Sequence, residues 1–186
     1  MNIGVFSIDP GGATGLWWGI FNPHAKSIEE TLKARMNAGS CTVTGDERAQ
    51  ITEIADIWQA FFSSCVRSAL LPPENVWLVC EDFVYTAGNT YGGDSAKIST
   101  AIIWGIEGYR MGMRAEWLKG RGRKQAHMPP MILQTASQAK QFATSARIKE
   151  WDLWEKGFAG KREHEFSAMQ HCAFFLYKYR TKHSGG

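Results

Sequence analysis

Hydrophobic and polar positions divide the chain into short apolar runs that finish on acid and longer stretches with helical spacing. The run from Ile3 to Ile8 is apolar or small at nearly every position, as a strand covered on both faces requires. It ends on Asp9, and Pro10-Gly11-Gly12 stops it, because proline lacks a donor and glycine takes positive φ cheaply. Leu16 to Phe21 resumes an apolar, aromatic run, which predicts a hairpin. After the turn at Asn22-Pro23-His24 the pattern is mixed, with a short strand expected at Ser40 to Thr44. Thr44 and Glu47 have capping-box spacing, and behind them Ile51, Ile54, Trp58, Phe61, Cys65 and Ala69 recur at helical period until Pro72-Pro73.

Val76 to Cys80 is a second buried strand, and it too finishes on acid, Glu81-Asp82. Tyr85 to Asp94 reads as a glycine-rich loop, and Ser95 as the cap of a helix through Arg110 with Ile98, Ile102, Gly105, Ile106 and Tyr109 inward. A strand at Arg114 to Leu118, a flexible basic loop at Lys119 to Lys124 and a strand at Met131 to Leu133 follow. Short helices at Ser137 to Phe142 and Ala146 to Trp154 precede a glycine break and a last helix, Glu163 to Arg180. The sequence of elements predicts an α/β fold, a central mixed sheet with helices on both faces. Residues 1–183 are expected to form one domain and 184–186 a loose tail.

Composition changes this picture little. With 44% hydrophobic and 21% charged residues the chain can bury a core, which excludes a disordered chain. A net charge of +3 permits an anionic partner without requiring one. The four cysteines lie far apart, with no Cys-x-x-Cys pair, which points to a reducing compartment and no zinc site. No apolar run approaches membrane-spanning length and no leader pattern opens the chain, so a cytoplasmic protein is expected.

Ligands of such sheets gather at strand ends, where Asp9 and Glu81 both fall. Two carboxylates within a few ångströms repel, and a divalent cation relieves the conflict; Mg²⁺ takes one or two carboxylates, several waters and phosphate oxygens. An alternative is that Asp9-Pro10 merely opens a hairpin. On the last helix His164, Ser167 and His171 form one stripe at i, i+3 and i+7, beside an apolar face of Ala168, Met169, Cys172, Phe175, Leu176 and Tyr179. A solvated helix edge is the alternative for both histidines.

These residues carry a resemblance. Asp9-Pro10-Gly11-Gly12-Ala13-Thr14-Gly15 resembles the first motif of the RuvC-like Holliday junction resolvases of the RNase H-like superfamily, and Val79-Cys80-Glu81-Asp82-Phe83 their second acidic strand. Gln134 to Lys140, Arg147-Ile148-Lys149 and His164 to His171 are similar to the C-terminal portion of the phage-type members. The resemblance implies a homodimeric, Mg²⁺-dependent endonuclease, Mn²⁺ substituting, that cuts four-way DNA junctions by two-metal-ion hydrolysis in a bacterial or phage-infected cell. It implies Asp9, Glu81 and His164 as metal ligands and Lys140 as charge support at the phosphate. Ser167 stands where the family places an acid, usually aspartate. Glu163 or Glu165 reaching in, a weakened nuclease that still binds junctions, or an introduced substitution would each account for it. Tyr85, just past the second acid, is the candidate to stack on bases, and Lys119, Arg121, Arg123 and Lys124 the candidates for backbone phosphate. Two rival functions are a non-cutting junction-binding protein and an actin-like ATPase, whose first strand also ends in Asp, a glycine-rich turn and Thr-Gly. No nucleotide cofactor and no membrane partner are expected.

Overall fold

The computed structural model describes residues 1–69, 71–82, 93–121 and 128–183, and of 93–95 and 117–121 only the backbone. The described residues form a five-stranded sheet of β1 (Ile3–Asp9), β2 (Ala13–Phe21), β3 (Met36–Thr44), β4 (Val76–Asp82) and β5 (Ile132–Thr135), in the order β3-β2-β1-β4-β5. β1 and β2 form the expected hairpin and β3 extends it antiparallel, whereas β4 lies parallel to β1 and β5 parallel to β4. The helices are α1 (Ile28–Lys33), α2 (Glu47–Arg67), α3 (Gly93–Arg121), α4 (Ala136–Phe142), α5 (Ser145–Glu150) and α6 (Glu163–His183).

Side chains of a strand alternate between faces, and β1 sorts them cleanly. Phe6 and Ile8, with Leu16, Leu78 and Cys80, pack against Ile54, Trp58 and Phe62 of α2 and Ile102 and Ile106 of α3. Ile3 and Val5, with Trp17, Phe21 and Val79, pack under Ala168, Met169, Cys172 and Leu176 of α6. Each large side chain buried in these layers stabilises the fold by about 1.5–3 kcal/mol. The mixed sheet with helices on both faces is therefore as expected. Among the described residues no helix is long and apolar enough to cross a membrane.

Several local expectations give way. Asp46, not Thr44, caps α2, its side chain accepting from the amide of Ala49 at 2.8 Å. The mixed stretch contains α1, capped by Ser27 accepting from Glu30, and β3 begins at Met36. α3 runs on to Arg121, so Arg114 to Leu118 is helix and not strand. A short mixed window of five residues fits either state, and here continuity with the preceding helix decides. Lys119 and Arg121 accordingly end a helix instead of sitting in a loop. α5 stops at Glu150, with Asp152 at φ +55° turning the chain. Tyr85, Arg123, Lys124 and the tail 184–186 lie outside the described residues.

One row of residues crosses the sheet. Thr42 pairs with Gly15, Gly15 with Asp9, and Glu81 with Gln134, while Ile8 pairs with Cys80, so that the next step along both strands sets Asp9 beside Glu81. α6 passes over this row with its backbone pressed onto Gly15: a Cβ there would lie 2.0 Å from the carbonyl of His164. Gly15→Ala is therefore expected to destabilise the protein by about 1–3 kcal/mol, as overpacking does. Urea unfolding measures this, and an unchanged midpoint would show that α6 can lift at no cost.

Candidate active site

Asp9 and Glu81 end adjacent parallel strands on the face that α6 covers. Asp9 is 8% exposed, with the Glu81 carboxylate beside it. Burial raises the Asp9 pKa; the hydrogen bond from His164 opposes this, and the Glu81 charge adds to it. For Glu81 burial is outweighed by hydrogen bonds from His171 and Asp9 and by the Lys140 charge, which hold it below the usual carboxylate range. The two carboxyls are thus shifted in opposite directions, Asp9 up and Glu81 down.

α6 supplies three side chains to the pair from successive turns. His164 Nδ1 lies 3.1 Å from Asp9 Oδ2, and this contact raises the histidine's pKa against the effect of burial. Ser167 Oγ donates to Glu81 Oε2 across 3.5 Å. His171 Nε2 reaches the same oxygen at 3.0 Å. From the side, Lys140 of α4 brings its half-exposed Nζ to 3.9 Å from Glu81 Oε2. Asp9, Glu81, His164, Ser167 and Lys140 border a cleft of about 610 Å³, lined also by the Pro10-Gly11-Gly12 loop, Thr144, Ser145, Glu163 and Gln170.

The glycine-rich loop is held from beneath by groups that its sequence motif does not include. Gln50, fully buried on α2, accepts from the Thr14 hydroxyl at 2.6 Å. Its amide nitrogen lies 3.4, 3.2 and 3.0 Å from the carbonyls of Gly11, Gly12 and Gly45. Ser99 of α3 donates to the carbonyl of Pro10 at 3.0 Å. A buried, fully engaged polar network of this kind fixes one loop geometry, because each alternative strands a polar group away from water.

Asp9, Glu81, His164, Ser167 and Lys140 are thus brought together. Glu165 is not available to replace an acid at position 167: Arg162 donates to its Oε2 at 2.6 Å and Thr42 to its Oε1 at 3.3 Å. Glu163 lines the cleft mouth with its side chain largely exposed. Among the described residues no three His, Cys, Asp or Glu side chains form a ready metal cage. His171 is no solvated edge, being 0% exposed. Its helical spacing from His164 and Ser167 was the available signal, whereas Gln134 and Gln50 left none, since an isolated glutamine marks nothing in a sequence.

Solved structures share this architecture. Thermus thermophilus RuvC superposes on the chain with a TM-score of 0.55 at 15% identity, covering 96% of both chains. A second structure, T. thermophilus RuvC in complex with a Holliday junction substrate, gives 0.54 at 14% identity with the same coverage. The chain has a RuvC-like fold. This is the mixed sheet flanked by helices that the resemblance implied, here matched along nearly the whole of the RuvC chain. No family model matches the sequence, and no curated protein does either.

Replacing Gln50 by leucine would leave the Thr14 hydroxyl and the loop carbonyls of this RuvC-like fold unmet. Gln50→Leu is expected to destabilise the protein by about 1–3 kcal/mol, measured by thermal or urea unfolding. A fully stable variant would mean that water reaches these groups and the network does not fix the loop.

Proposed function

We propose that the chain is a Mg²⁺-dependent endonuclease for branched DNA, acting on four-way junctions. The observation that carries this is the Asp9–Glu81 pair at the mouth of a cleft, met from α6 by His164 and Ser167 and from α4 by Lys140. The residues fit Mg²⁺ in particular. Two buried carboxylates that repel one another gain from a shared cation, and Mg²⁺ is bound through one or two carboxylates plus phosphate oxygens, not a closed protein cage. Held there by Asp9 and Glu81, with Mn²⁺ as a substitute, it would supply an activated water and neutralise charge on the phosphodiester.

The chain's own groups have separable parts in this reading. Asp9 and Glu81 bind, and His164, hydrogen-bonded to Asp9, is a further ligand or a base within reach of water in the cleft. Lys140, whose Nζ is half exposed at the cleft wall, meets a phosphate oxygen. Hydrolysis proceeds without a covalent intermediate on the protein. The RuvC structure that holds a junction supports branched DNA as the substrate class.

Resolving a symmetric junction takes two active sites, and the surface of α3 supports a second copy of the chain. Trp104 is 70% exposed and Met111 58%, two turns apart on one face. Gly108 lies between them and Ala101 one turn before, and nothing stands within 4 Å of where a Cβ of Gly108 would be. An apolar helix stripe of this kind suits the isologous contact of a C₂ dimer. Trp104→Glu is expected to convert a dimer into a monomer in sedimentation or light scattering; a monomeric parent chain would remove the dimer from this reading.

Ser167 favours a second reading, a protein that binds junctions and cuts them poorly. A hydroxyl at 3.5 Å from Glu81 stands where an acid would add a ligand. Gel shifts on four-way, three-way and linear DNA, with Mg²⁺ cleavage in parallel, separate the two. Cleavage that Asp9→Asn abolishes supports the nuclease; junction binding without cleavage supports the second reading. Ser167→Asp is expected to raise the cleavage rate about tenfold or more, equivalent to ~1.4 kcal/mol. Equal rates would show that the serine limits nothing.

A further inference from the structure

Glu81 is the more heavily contacted member of the carboxylate pair, and most of its contacts fall on one oxygen. His171 Nε2, Ser167 Oγ and Lys140 Nζ approach Oε2 at 3.0, 3.5 and 3.9 Å. Of these, His171 alone is fully buried and so cannot be there to meet solvent or substrate. Its other nitrogen, Nδ1, lies 3.2 Å from Oε1 of Gln134, a residue that is 5% exposed. Gln134 is in turn the register neighbour of Glu81 on the edge strand β5. The three groups close a triangle: the strand pairing sets Gln134 beside Glu81, and the imidazole from α6 bridges them.

Rest on the metal-dependent reading above and this triangle acquires a purpose. We infer that His171 and Gln134 are a positioning pair for Glu81, holding its carboxylate in one orientation at the cleft beside Asp9, ready for the cation. The amide of Gln134 can turn its NH₂ to the imidazole, which places the ring proton on Nε2, the atom that faces Glu81. A carboxylate hydrogen-bonded through a histidine to a second polar group has one orientation, where a free carboxylate has several. The hydroxyl at position 167 contributes a longer contact to the same oxygen, so the imidazole one turn further along α6 does most of the holding.

The test uses the full chain and Mn²⁺ as probe, with binding read from the paramagnetic signal of the free ion in the absence of DNA. Three variants are needed: His171→Leu, His171→Gln, which keeps an N–H donor, and Gln134→Leu. His171→Leu is expected to bind Mn²⁺ about tenfold or more weakly. Where the parent chain cleaves, its kcat falls by a similar factor while KM for junction DNA stays within about twofold. His171→Gln recovers most of the loss, which a purely structural role for the imidazole would not allow, and Gln134→Leu shifts Mn²⁺ affinity in the same direction as His171→Leu.

Parental Mn²⁺ affinity in a folded His171→Leu, or a His171→Gln as impaired as His171→Leu, overturns the inference. If His171→Leu does not fold, Gln134→Leu decides, and unchanged Mn²⁺ affinity there overturns it equally. A parent chain that binds no Mn²⁺ and cuts no junction brings down the nuclease reading itself, and the inference with it. A parent that binds Mn²⁺ while the variants match it brings down the inference alone.

Discussion

Two carboxylates buried side by side repel, and the architecture around Asp9 and Glu81 can be understood as what holds them together in spite of it. Adjacent parallel strands deliver them to one face of the sheet, where neither can turn away without breaking the pairing of β1 with β4. Burial alone would neutralise both. His164 and His171, reaching from α6 on either side, bring hydrogen bonds to the charged forms, and Lys140 adds a positive charge. The outcome is an uneven pair, Asp9 shifted up and Glu81 down, in a cleft open to solvent on one side.

That arrangement depends on how closely α6 can approach. The helix contributes residues 164, 167 and 171 to the row that crosses the sheet, a span of roughly 10 Å along its axis. The distance across two strand spacings, from β1 to β5, is also roughly 10 Å. The contact is possible because Gly15 has no side chain where the backbone of His164 passes. Arg162, bonded to Glu165, Glu155 and Ser40, fastens the start of the same helix to β3. From the opposite layer Gln50 and Ser99 fix the glycine-rich loop. Both helical layers therefore converge on the end of β1, and the packing that stabilises the fold also sets the geometry of the site.

Much of this was legible beforehand. The strand that ends at Asp9 and the strand that ends at Glu81 announce themselves, because a buried strand must be apolar almost throughout and an acid at its end breaks that pattern. The amphipathic spacing of Ile54, Trp58 and Phe61 likewise fixed α2 and its buried face. The extent of α3 did not follow from pattern. Arg114 to Leu118 is short and mixed, and only attachment to the helix before it makes it helical. The cap of α2 moved from Thr44 to Asp46 for a similar reason, since either side chain can accept from a first-turn amide and the path of β3 chose between them.

By itself, then, the chain determined the first hairpin, β4, α2 and α6, that two strands finish on acid, and that His164 and Ser167 share a helix face with His171. Those are local properties, set by the period of apolar residues and by turn chemistry within a few positions. Tertiary structure decided that Glu81 lies beside Asp9 and Gln134 beside Glu81, that His171 is buried against both Glu81 and Gln134, and that Glu165 is claimed by Arg162. The order of the parallel strands depends on pairing between residues about 50 to 70 positions apart, and the seating of α6 on contacts across more than a hundred. No periodicity within one segment records which strand will be its neighbour.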